Sequence, residues 1–439
     1  MDRLRERIAD RSAVVGVIGQ GYVGLPLALV FAEAGLRAVG FDVDPVKVSA
    51  LSRGESYIKH IGPERVARAV TSRRYEATAD FDRLRDCDAI VICVPTPLGE
   101  HREPDNSYIH RTAREIARRL RPGQLVVLES TTYPGTTDEE VLPILKESGL
   151  ETPRDFLLAF SPEREDPGRK DHTTRSIPKI VGGVTPEATA AAAALYGAAL
   201  DRIVPVANAR VAESAKLLEN VFRSVNIALV NELKVIFDRM GIDVWEVIRA
   251  AETKPFGFMP FYPGPGLGGH CIPLDPFYLS WKAAEHGEWA RFIELAGEVN
   301  TRMPRWVVGK TAEALNDDGK AVRGARILVL GLAYKANIDD DRESPSYEIL
   351  ELLRERGARI DYCDPLFPAT HRTRRHDLGL RSVPCDAATF SGYDAIVVST
   401  AHDLFRRADL FHGAKLVVDT RNLLAPLFPD GGGPRVVKA

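Results

Sequence analysis

The sequence predicts an α/β protein with two Rossmann-like doubly wound domains, joined by a central helical segment that contains one long helix. Two strand–turn–helix–strand patterns predict the domains, one beginning near Ala13 and one near Ala321. Between them, a stretch without glycine or proline predicts the long helix. A chain of 439 residues exceeds one ordinary core, so we expect domains at 1–205, 206–305 and 306–439.

The composition is that of an ordinary soluble globular protein, with 45% hydrophobic and 27% charged residues. A net charge of -3 provides no basic field for nucleic acid or an anionic membrane. The N-terminal segment has charged residues before a short apolar run, which fits neither a signal peptide nor a membrane span, so we expect a cytoplasmic protein. The five cysteines are scattered without a CxxC pair, which predicts free thiols and no metal site.

A glycine-rich turn marks the first domain. Gly19, Gly21 and Gly24 form G-x-G-x-x-G between a predicted strand that ends at Ile18 and a predicted helix. Such glycines permit a tight turn, close approach of a pyrophosphate, and packing of helix on strand. Asp42 ends the second strand, where its carboxylate would bind the adenosine ribose and repel a 2′-phosphate. The pattern predicts an NAD site; the alternative is a turn that only packs.

Small polar and acidic residues follow the next predicted strands. The apolar runs "DAIVICVPTP" and "GQLVVLESTT" are typical of parallel strands that are buried on both faces. Ligands bind such sheets at the carboxyl ends of strands, which places Thr96, Ser130 and Thr131 near cofactor or substrate unless they only form turns. Glu163 and Glu165 follow another run, "FLLAF", as site residues or as solvated loop charges.

The segment 207–240 predicts one helix of about nine turns, a spine between domains or across a dimer interface. Glu213, Lys216 and Asn220 have the spacing i, i+3 and i+7, which places them on one face of this helix. Lys216 and Asn220 are either catalytic or an ordinary exposed pair, and the helix alone leaves both interpretations open.

The segment "GPGLGGHCIPLDP", residues 264–276, predicts a rigid irregular loop that presents Cys271. A thiol serves NAD chemistry when an aldehyde is oxidised, because hydride leaves only from a tetrahedral carbon and thiol addition creates one. Lys216 and Asn220 would stabilise the oxyanion, and Asp275 would orient or deprotonate water. The alternative is a small buried hydrophobe, but the glycines permit close approach of N–H groups to phosphates.

The third region repeats the plan of the first. A predicted strand from Arg326 leads through a glycine turn to a helix and to a second strand that ends at Asp364. The region lacks G-x-G-x-x-G, so we expect a different ligand. Lys335 and Arg342 lie in its first loop, where a nucleotide or diphosphate would be held.

Four segments, in the same order, resemble the UDP-glucose/GDP-mannose dehydrogenase family: "GQGYVGLPLA" with Asp42, "ESAKLLENVFRSVNIALVNEL", "GPGLGGHCIPLDP" and "GLAYKANIDDDRESPSYEIL". The resemblance extends along nearly the whole chain. It implies an NAD-dependent oxidation at C6 of a nucleotide sugar, from alcohol through aldehyde to acid, which consumes two NAD and one water. It also implies an N-terminal Rossmann domain, a central helical dimerisation segment, a C-terminal UDP-binding domain and a homodimer.

The resemblance assigns roles residue by residue. The catalytic set it implies, with Cys271 as the nucleophile, is Cys271, Lys216, Asn220, Asp275, Glu163 and Thr131. The residues that would line NAD are Gly19, Gly21, Tyr22, Val23, Gly24, Asp42, Lys47, Pro95, Thr96, Thr131 and Arg342. The residues that would contact the UDP-sugar are Glu163, Lys216, Asn220, Arg249, Phe261, Tyr262, Gly264, Gly266, Gly268, Gly269 and Lys335. An arginine lent across the dimer is either Arg249 or Arg302.

The segment "SPEREDPG" bears on the sugar. Glucose-specific relatives have a "PEFL"-like continuation there, whereas this version is similar to the branch that oxidises UDP-N-acetylhexosamines, UDP-N-acetyl-D-glucosamine above all. We expect the manno epimer next and UDP-glucose third, and the change leaves the role of Glu165 open. A two-electron hydroxy-acid dehydrogenase would need neither the thiol nor the second α/β domain. A non-enzymatic nucleotide-sugar sensor would not need the catalytic set.

Overall fold

The computed structural model describes residues 2–58, 61–99, 103–164, 174–269, 271–373 and 375–439, and the side chain of Cys271 lies outside the described part. The chain forms two compact units. The first is Met1–Glu219 with Phe277–Trp289, and the second is Asn220–Pro276 with Ala290–Ala439. Each unit has its own sheet.

The strands of the first unit are β1 (Val14–Ile18), β2 (Arg37–Phe41), β3 (Tyr75–Thr78), β4 (Ala89–Ile92), β5 (Leu125–Leu128), β6 (Leu157–Phe160), β7 (Lys179–Gly183) and β8 (Ile203–Pro205). They form one sheet in the order β3-β2-β1-β4-β5-β6-β7-β8. Neighbours run parallel except β6 and β7, so β7 and β8 run opposite to the rest. Strands β4, β5 and β6 are buried throughout, as their apolar sequences predict.

The helices of this unit before residue 200 are α1 (Asp2–Ala9), α2 (Gly24–Glu33), α3 (Pro45–Ser52), α4 (Pro63–Thr71), α5 (Ser107–Ala117), α6 (Leu142–Lys146) and α7 (Pro186–Gly197). Alternate residues of β4 enter two different hydrophobic cores. Ala89 and Val91 pack with α2 and α7, whereas Ile90 and Ile92 pack with α5. Because both faces of the sheet are covered by helices, the predicted doubly wound Rossmann architecture is confirmed.

The helices that follow are α8 (Ala209–Arg239), α9 (Val244–Glu252), α10 (Cys271–Glu285) and α11 (Arg291–Asp317). Helix α8 has 31 residues and confirms the long helix predicted for 207–240. The side chain of Asp243 caps α9 by accepting a hydrogen bond from the N–H of Trp245 at 2.9 Å. In the described part of the chain, no helix is both long and apolar enough to cross a membrane.

Cys271 stands at the start of a helix, so the prediction of a proline-stiffened irregular loop around this residue is wrong. Within the predicted loop 264–276, the described residues 264–269 have neither helix nor strand, and α10 begins at Cys271. Pro273 is tolerated in the first turn of α10 because an N–H there has no intrahelical acceptor. Pro276 lies inside the same helix. The number of glycines and prolines in this stretch is typical of a loop, but a proline in the first turn of a helix does not prevent the helix.

The second unit has a smaller parallel sheet. Its strands are β9 (Arg326–Leu330), β10 (Arg359–Cys363), β11 (Ala395–Val398), β12 (Leu416–Asp419) and β13 (Arg435–Lys438), in the order β10-β9-β11-β12-β13. Two further helices are α12 (Pro345–Glu355) and α13 (Ala387–Ser391). Val329 packs with α11 and α12, whereas Leu328 and Leu330 pack into a second core with α13. This sheet therefore confirms the second Rossmann-like domain.

Candidate active site

The turn after β1 has the geometry of a dinucleotide-binding turn. Gly19 has φ +92°, and a Cβ there would lie 2.4 Å from the carbonyl oxygen of Cys93. A Cβ on Gly24 would lie 1.8 Å from the carbonyl oxygen of Gly19. Gly21 differs, since a Cβ there would meet nothing within 4 Å. Open space beside backbone at a helix N-terminus suits a pyrophosphate, so the turn fits NAD.

Asp42 is buried directly after β2, and its carboxylate orders the turn. One oxygen accepts a hydrogen bond from the N–H of Gln20 at 2.9 Å, and the other accepts one from the N–H of Asp44 at 3.0 Å. The ammonium of Lys47 lies 3.7 Å from the same carboxylate. Each carboxylate oxygen can accept a further bond, so a ribose hydroxyl fits here, and the negative charge disfavours a 2′-phosphate.

Other residues predicted to line NAD differ in exposure. Tyr22 and Pro95 are exposed, Val23 is half-buried, and Thr96 is buried. The hydroxyl of Tyr278 donates a hydrogen bond to the carbonyl oxygen of Thr96, which fixes the backbone after β4. The tyrosine on α10 had no signal in the sequence, because its partner is a main-chain group.

Two polar residues, Ser130 and Thr131, follow β5. Ser130 is structural, whereas Thr131 is a candidate site residue. The Ser130 hydroxyl donates to the carbonyl oxygen of Val94 at 2.7 Å and accepts from the N–H of Val94 at 2.9 Å. Ser130 therefore joins the ends of β4 and β5, as the turn-forming interpretation expects. Thr131 is half-buried beside it and remains a predicted site residue. Arg342, also predicted to line NAD, lies in the second unit, where its side chain pairs with Asp340.

A buried group of charges surrounds Glu163 and was not predicted from the sequence. The ammonium of Lys179 forms an ion pair with Glu129 and lies 3.5 Å from the carboxylate of Glu163. The thiol of Cys93 donates to Glu129 at 3.5 Å. Burial raises the pKa of Glu129, although Lys179 opposes the rise. In the sequence, Glu129 and Lys179 are each only a polar residue at the end of an apolar strand, and nothing there indicates that they pair. Glu165 lies outside the described residues.

Glu213 on α8 has a structural role, because its carboxylate binds a neighbouring turn. Its carboxylate accepts hydrogen bonds from the N–H of Gly135 at 2.7 Å, the N–H of Thr137 at 3.0 Å and the hydroxyl of Thr137 at 2.6 Å. These groups open the short π-helical turn Thr136–Val141. Burial raises the pKa of Glu213 to about 7, while these three donors work against the rise. Lys216, three residues on, is also buried, which excludes the exposed interpretation.

The second unit brings two of the predicted catalytic residues together. The amide of Asn220 on α8 donates a hydrogen bond of 2.6 Å to the carboxylate of Asp275, and both side chains are buried. The guanidinium of Arg223 donates to the amide oxygen of Asn220. Asp275 lies one turn after Cys271 on α10. The orientation of Asn220 is thus fixed from both sides, and the side chain of Cys271 itself lies outside the described residues.

The glycine segment packs closely against the second sheet's loops. A Cβ on Gly268 would lie 2.4 Å from the Tyr334 side chain, and one on Gly269 would lie 2.9 Å from its ring. The N–H of Gly269 donates to the carbonyl oxygen of Arg342 at 2.8 Å. Lys335, which is predicted to bind UDP, follows Tyr334 and therefore belongs to the loop that contacts these glycines. Gly266 has φ +141°, a conformation that favours glycine.

Gly264 lies between two cations that sequence reasoning missed. The ammonium of Lys234 donates to its carbonyl oxygen at 3.1 Å, and a Cβ on Gly264 would lie 2.4 Å from a guanidinium nitrogen of Arg421. Its N–H donates to the amide oxygen of Asn231 at 3.0 Å. Burial, then Arg421, lower the pKa of Lys234 to about 7, and burial lowers the pKa of Arg421 to about 10. Among described residues, neither cation has a carboxylate within 4 Å.

The remaining predicted substrate residues lie near α9. Tyr262 stacks on Trp245 with ring centroids 5.5 Å apart, and Phe261 meets Phe222 edge-on at 5.6 Å. Arg249 is exposed on α9. Arg302 is exposed on α11 and pairs with Glu298 at 2.5 Å. Neither arginine is favoured as the one lent across a dimer.

Asp364 occupies in the second unit the place that Asp42 has in the first, after the second strand of the repeat. Its carboxylate accepts hydrogen bonds from the N–H groups of Leu332 at 2.6 Å and Ala333 at 3.1 Å. The imidazole of His402 lies 3.1 Å from the same oxygen, and both side chains are fully buried. This acid is engaged by the protein's own groups, in keeping with the expectation that the second domain binds a different ligand.

The fold and the turn after β1 are those of a Rossmann-type NAD-binding domain. Three family models match the chain: the NAD binding domain of the UDP-glucose/GDP-mannose dehydrogenase family at residues 13–200, its central domain at 210–302 and its UDP binding domain at 328–426. The chain belongs to the UDP-glucose/GDP-mannose dehydrogenase family. It is an NAD-dependent UDP-sugar dehydrogenase, as the sequence resemblance implied.

Similar proteins carry names for more than one sugar. The chain is 37% identical to a UDP-N-acetyl-D-glucosamine 6-dehydrogenase of Pseudomonas aeruginosa over 89% of this chain and 91% of that protein. It is 35% identical to one of Salmonella typhi over 90% and 91%. The solved structure of a UDP-D-ManNAc dehydrogenase from Pyrococcus horikoshii aligns with a TM-score of 0.86 and 34% identity, covering 97% of this chain and 98% of that one.

Proposed function

We propose that this chain oxidises the C6 hydroxyl of UDP-N-acetyl-D-glucosamine to a carboxylate, which gives UDP-N-acetyl-D-glucosaminuronate. Two relatives at 35% and 37% identity carry the name of a dehydrogenase for this sugar. The segment "SPEREDPG" supports the same choice, because it departs from the "PEFL" continuation of glucose-specific relatives. The second candidate is UDP-N-acetyl-D-mannosamine, supported by the similarity to the Pyrococcus horikoshii structure. UDP-glucose is the third.

The observation that carries the proposal is the buried hydrogen bond between Asn220 and Asp275, one helical turn after Cys271. Burying a carboxylate costs free energy unless the group is paired, so the buried position of Asp275 indicates a functional role. An acid placed one turn from a thiol is suited to orient a water toward a thioester. A dehydrogenase that stops at a ketone or aldehyde would have no use for this arrangement.

The reaction balances as two oxidations and one hydrolysis. The alcohol first loses a hydride and a proton to become an aldehyde. The Cys271 thiol then adds to the aldehyde carbon, and the resulting thiohemiacetal loses a second hydride and proton to become a thioester. Water cleaves the thioester, which releases the carboxylate and restores the thiol. NAD held at the turn after β1 would supply the hydride acceptor for each oxidation, so one sugar and one water would give two NADH and three protons.

The protein's own groups divide this work. Asp42 would hold the adenosine ribose, with the turn at Gly21 open to the pyrophosphate. Lys335 and the glycine segment would hold the UDP part. Lys216 and Asn220 would stabilise the oxyanion on C6, and Glu163 with Thr131 would handle protons and water.

The test is to offer UDP-N-acetyl-D-glucosamine, UDP-N-acetyl-D-mannosamine and UDP-glucose with NAD, and to count the NADH formed for each sugar consumed. We expect two per sugar, with the highest kcat/KM for UDP-N-acetyl-D-glucosamine. Cys271→Ser serves as the control, and it should stop acid formation because a hydroxyl is a far weaker nucleophile than a thiol. One NADH per sugar, or undiminished acid formation in the Cys271→Ser variant, would reject the mechanism.

A further inference from the structure

Two side chains of α8 hold both main-chain groups of Gly264, the first residue of the glycine segment 264–269. The ammonium of Lys234 donates a hydrogen bond to the Gly264 carbonyl oxygen at 3.1 Å, and the amide oxygen of Asn231 accepts one from the Gly264 N–H at 3.0 Å. Because Asn231 and Lys234 are three positions apart, they lie on the same face of the helix. These two residues, the Gly264 clamp, therefore fix the start of the glycine segment to α8.

A buried amide network supports one half of the Gly264 clamp. The amide nitrogen of Asn231 donates to the amide oxygen of Asn300 on α11 at 2.9 Å, and the amide nitrogen of Asn300 donates to the carbonyl oxygen of Ser224 at 3.2 Å. Asn231, Asn300 and Ser224 are all buried. Since an asparagine amide carries no ionisable proton, this half of the clamp holds Gly264 equally at any neutral pH.

The other half of the clamp is a buried cation whose acceptor is a neutral carbonyl group. Lys234 is 5% exposed, and a buried ammonium costs free energy unless an opposite charge compensates it. A second cation lies at the same glycine, since a Cβ on Gly264 would be 2.4 Å from a guanidinium nitrogen of Arg421. Asp238, one turn further along α8, pairs with Lys310 at 3.1 Å. The cavity beside Lys234 is also lined by a charged pair and by a residue of β13's end, namely Asp243 with Lys438, and Ala439.

These surroundings bring Lys234 close to the balance between its charged and neutral forms. Burial, then Arg421, lower the pKa of Lys234 to about 7, and Asp238 opposes them. The protonated lysine is the stronger donor to the Gly264 carbonyl, because a charged donor makes a stronger hydrogen bond. An anion on the glycine segment would favour the protonated form, since it would offset the repulsion between Lys234 and Arg421.

We propose that Lys234 is a positioning residue of the UDP site, which takes up a proton when UDP binds and then holds the glycine segment through Gly264. This inference deepens the proposed function and rests on it for the binding of UDP at this segment. The diphosphate brings negative charge to a place where two cations repel each other. Binding of UDP and protonation of Lys234 therefore favour each other, by the same coupling free energy.

The test counts the protons that are taken up when UDP binds, by isothermal titration calorimetry in buffers of different ionisation enthalpy. At about pH 8 the terminal phosphate of UDP has already lost its protons and contributes none, because its last pKa is about 6. We expect the wild-type protein to take up close to about one proton per UDP at this pH. Its Kd for UDP should rise by up to about tenfold per pH unit above about pH 7.

Four variants separate the charge of Lys234 from its contact with Gly264. Lys234→Met should abolish the lysine's share of the proton uptake and flatten the pH dependence of Kd. Lys234→Arg keeps a permanent cation, so it should bind UDP at about pH 8 as tightly as the wild-type protein without the proton uptake. Asn231→Leu removes the uncharged half of the clamp, so it should weaken UDP binding but retain the uptake. Lys320→Met is the control, because Lys320 forms an exposed pair with Asp394 and should leave both quantities unchanged.

A purely structural role for Lys234 would weaken UDP binding in Lys234→Met and leave the proton uptake as it is in the wild-type protein. That result, or a wild-type protein that takes up no proton, would overturn the proposal. Lys234→Met should fold, because the substitution removes a buried charge. If its UDP binding is too weak to measure, Lys234→Arg decides, since an uptake equal to that of the wild-type protein would also overturn the proposal.

The proposed function and this inference fail separately. If a UDP-sugar yields two NADH but UDP binding involves no proton at Lys234, only the inference is rejected. If UDP binding takes up the proton at Lys234 but no UDP-sugar is oxidised to an acid, the function is rejected and the inference stands. A wild-type protein that does not bind UDP would reject both.

Discussion

Lys234 is a lysine that the fold holds at a cost in free energy. It is buried on α8, where its ammonium donates a hydrogen bond to the carbonyl oxygen of Gly264, and burial, then the nearby Arg421, lower its pKa to about 7. Between that value and the ordinary lysine pKa of about 10.4, the unfolded chain binds one more proton than the folded chain. The free energy of unfolding should therefore rise with pH across this window because of Lys234.

We predict that Lys234→Met removes this rise. Relative to the variant, the wild-type protein should gain up to about 1.4 kcal/mol of unfolding free energy per pH unit above about pH 7. Urea denaturation at several pH values measures the two slopes. Lys320→Met is the control, because Lys320 is in an exposed pair with Asp394 and should leave the wild-type slope intact. Equal slopes in the wild-type protein and Lys234→Met would show that Lys234 titrates normally.

At the scale of the element, Gly21 in the turn between β1 and α2 and Gly24 at the start of α2 are needed for different reasons. A Cβ on Gly24 would overlap the carbonyl oxygen of Gly19 at 1.8 Å, whereas a Cβ on Gly21 would meet no protein atom. Gly24 is thus required by packing. Gly21 is required only if a ligand occupies the open space beside it, which makes the two positions a matched pair.

We predict that Gly21→Ala folds with nearly wild-type stability but raises the KM for NAD at least tenfold, because the new methyl group competes with the pyrophosphate. Gly24→Ala should instead lower the melting temperature strongly, since backbone must move to admit the methyl group. Thermal unfolding without NAD and initial rates at varied NAD separate the two effects. An unchanged KM in Gly21→Ala would argue against a pyrophosphate at this turn.

The elements of both sheets were predictable from sequence because each signal is local. The strand before Gly19, the acid at Asp42 and the long helix α8 follow from periodicity and turn residues. The ion pair of Glu129 with Lys179 was not predictable, since it depends on β7 running antiparallel to β6. Arg421 was missed likewise, because it meets Gly264 only through the folded second unit. Pairings distant in sequence leave no periodic trace.

At the scale of the whole molecule, α8 carries exposed apolar side chains. Phe222, Leu229 and Ile236 are 45%, 51% and 45% exposed at spacings of seven residues, and Met240, directly after the helix, is 63% exposed. Residues seven apart lie on the same side of a helix, so these side chains form one stripe. A contiguous exposed apolar stripe marks an interaction surface, and a second copy of the same helix would cover it symmetrically.

We therefore predict that the chain is a homodimer and that Leu229→Glu with Ile236→Glu converts it to a monomer, because the charges would be buried without partners. Light scattering after size-exclusion chromatography measures the mass of each form. Leu404→Glu is the matched control, since Leu404 is 39% exposed on a different element and its replacement should leave the dimer intact. A wild-type monomer, or a dimer that survives both α8 substitutions, would exclude the stripe as the dimer interface. If an arginine completes the site across this interface, the monomeric variant should also lose turnover while it retains NAD binding.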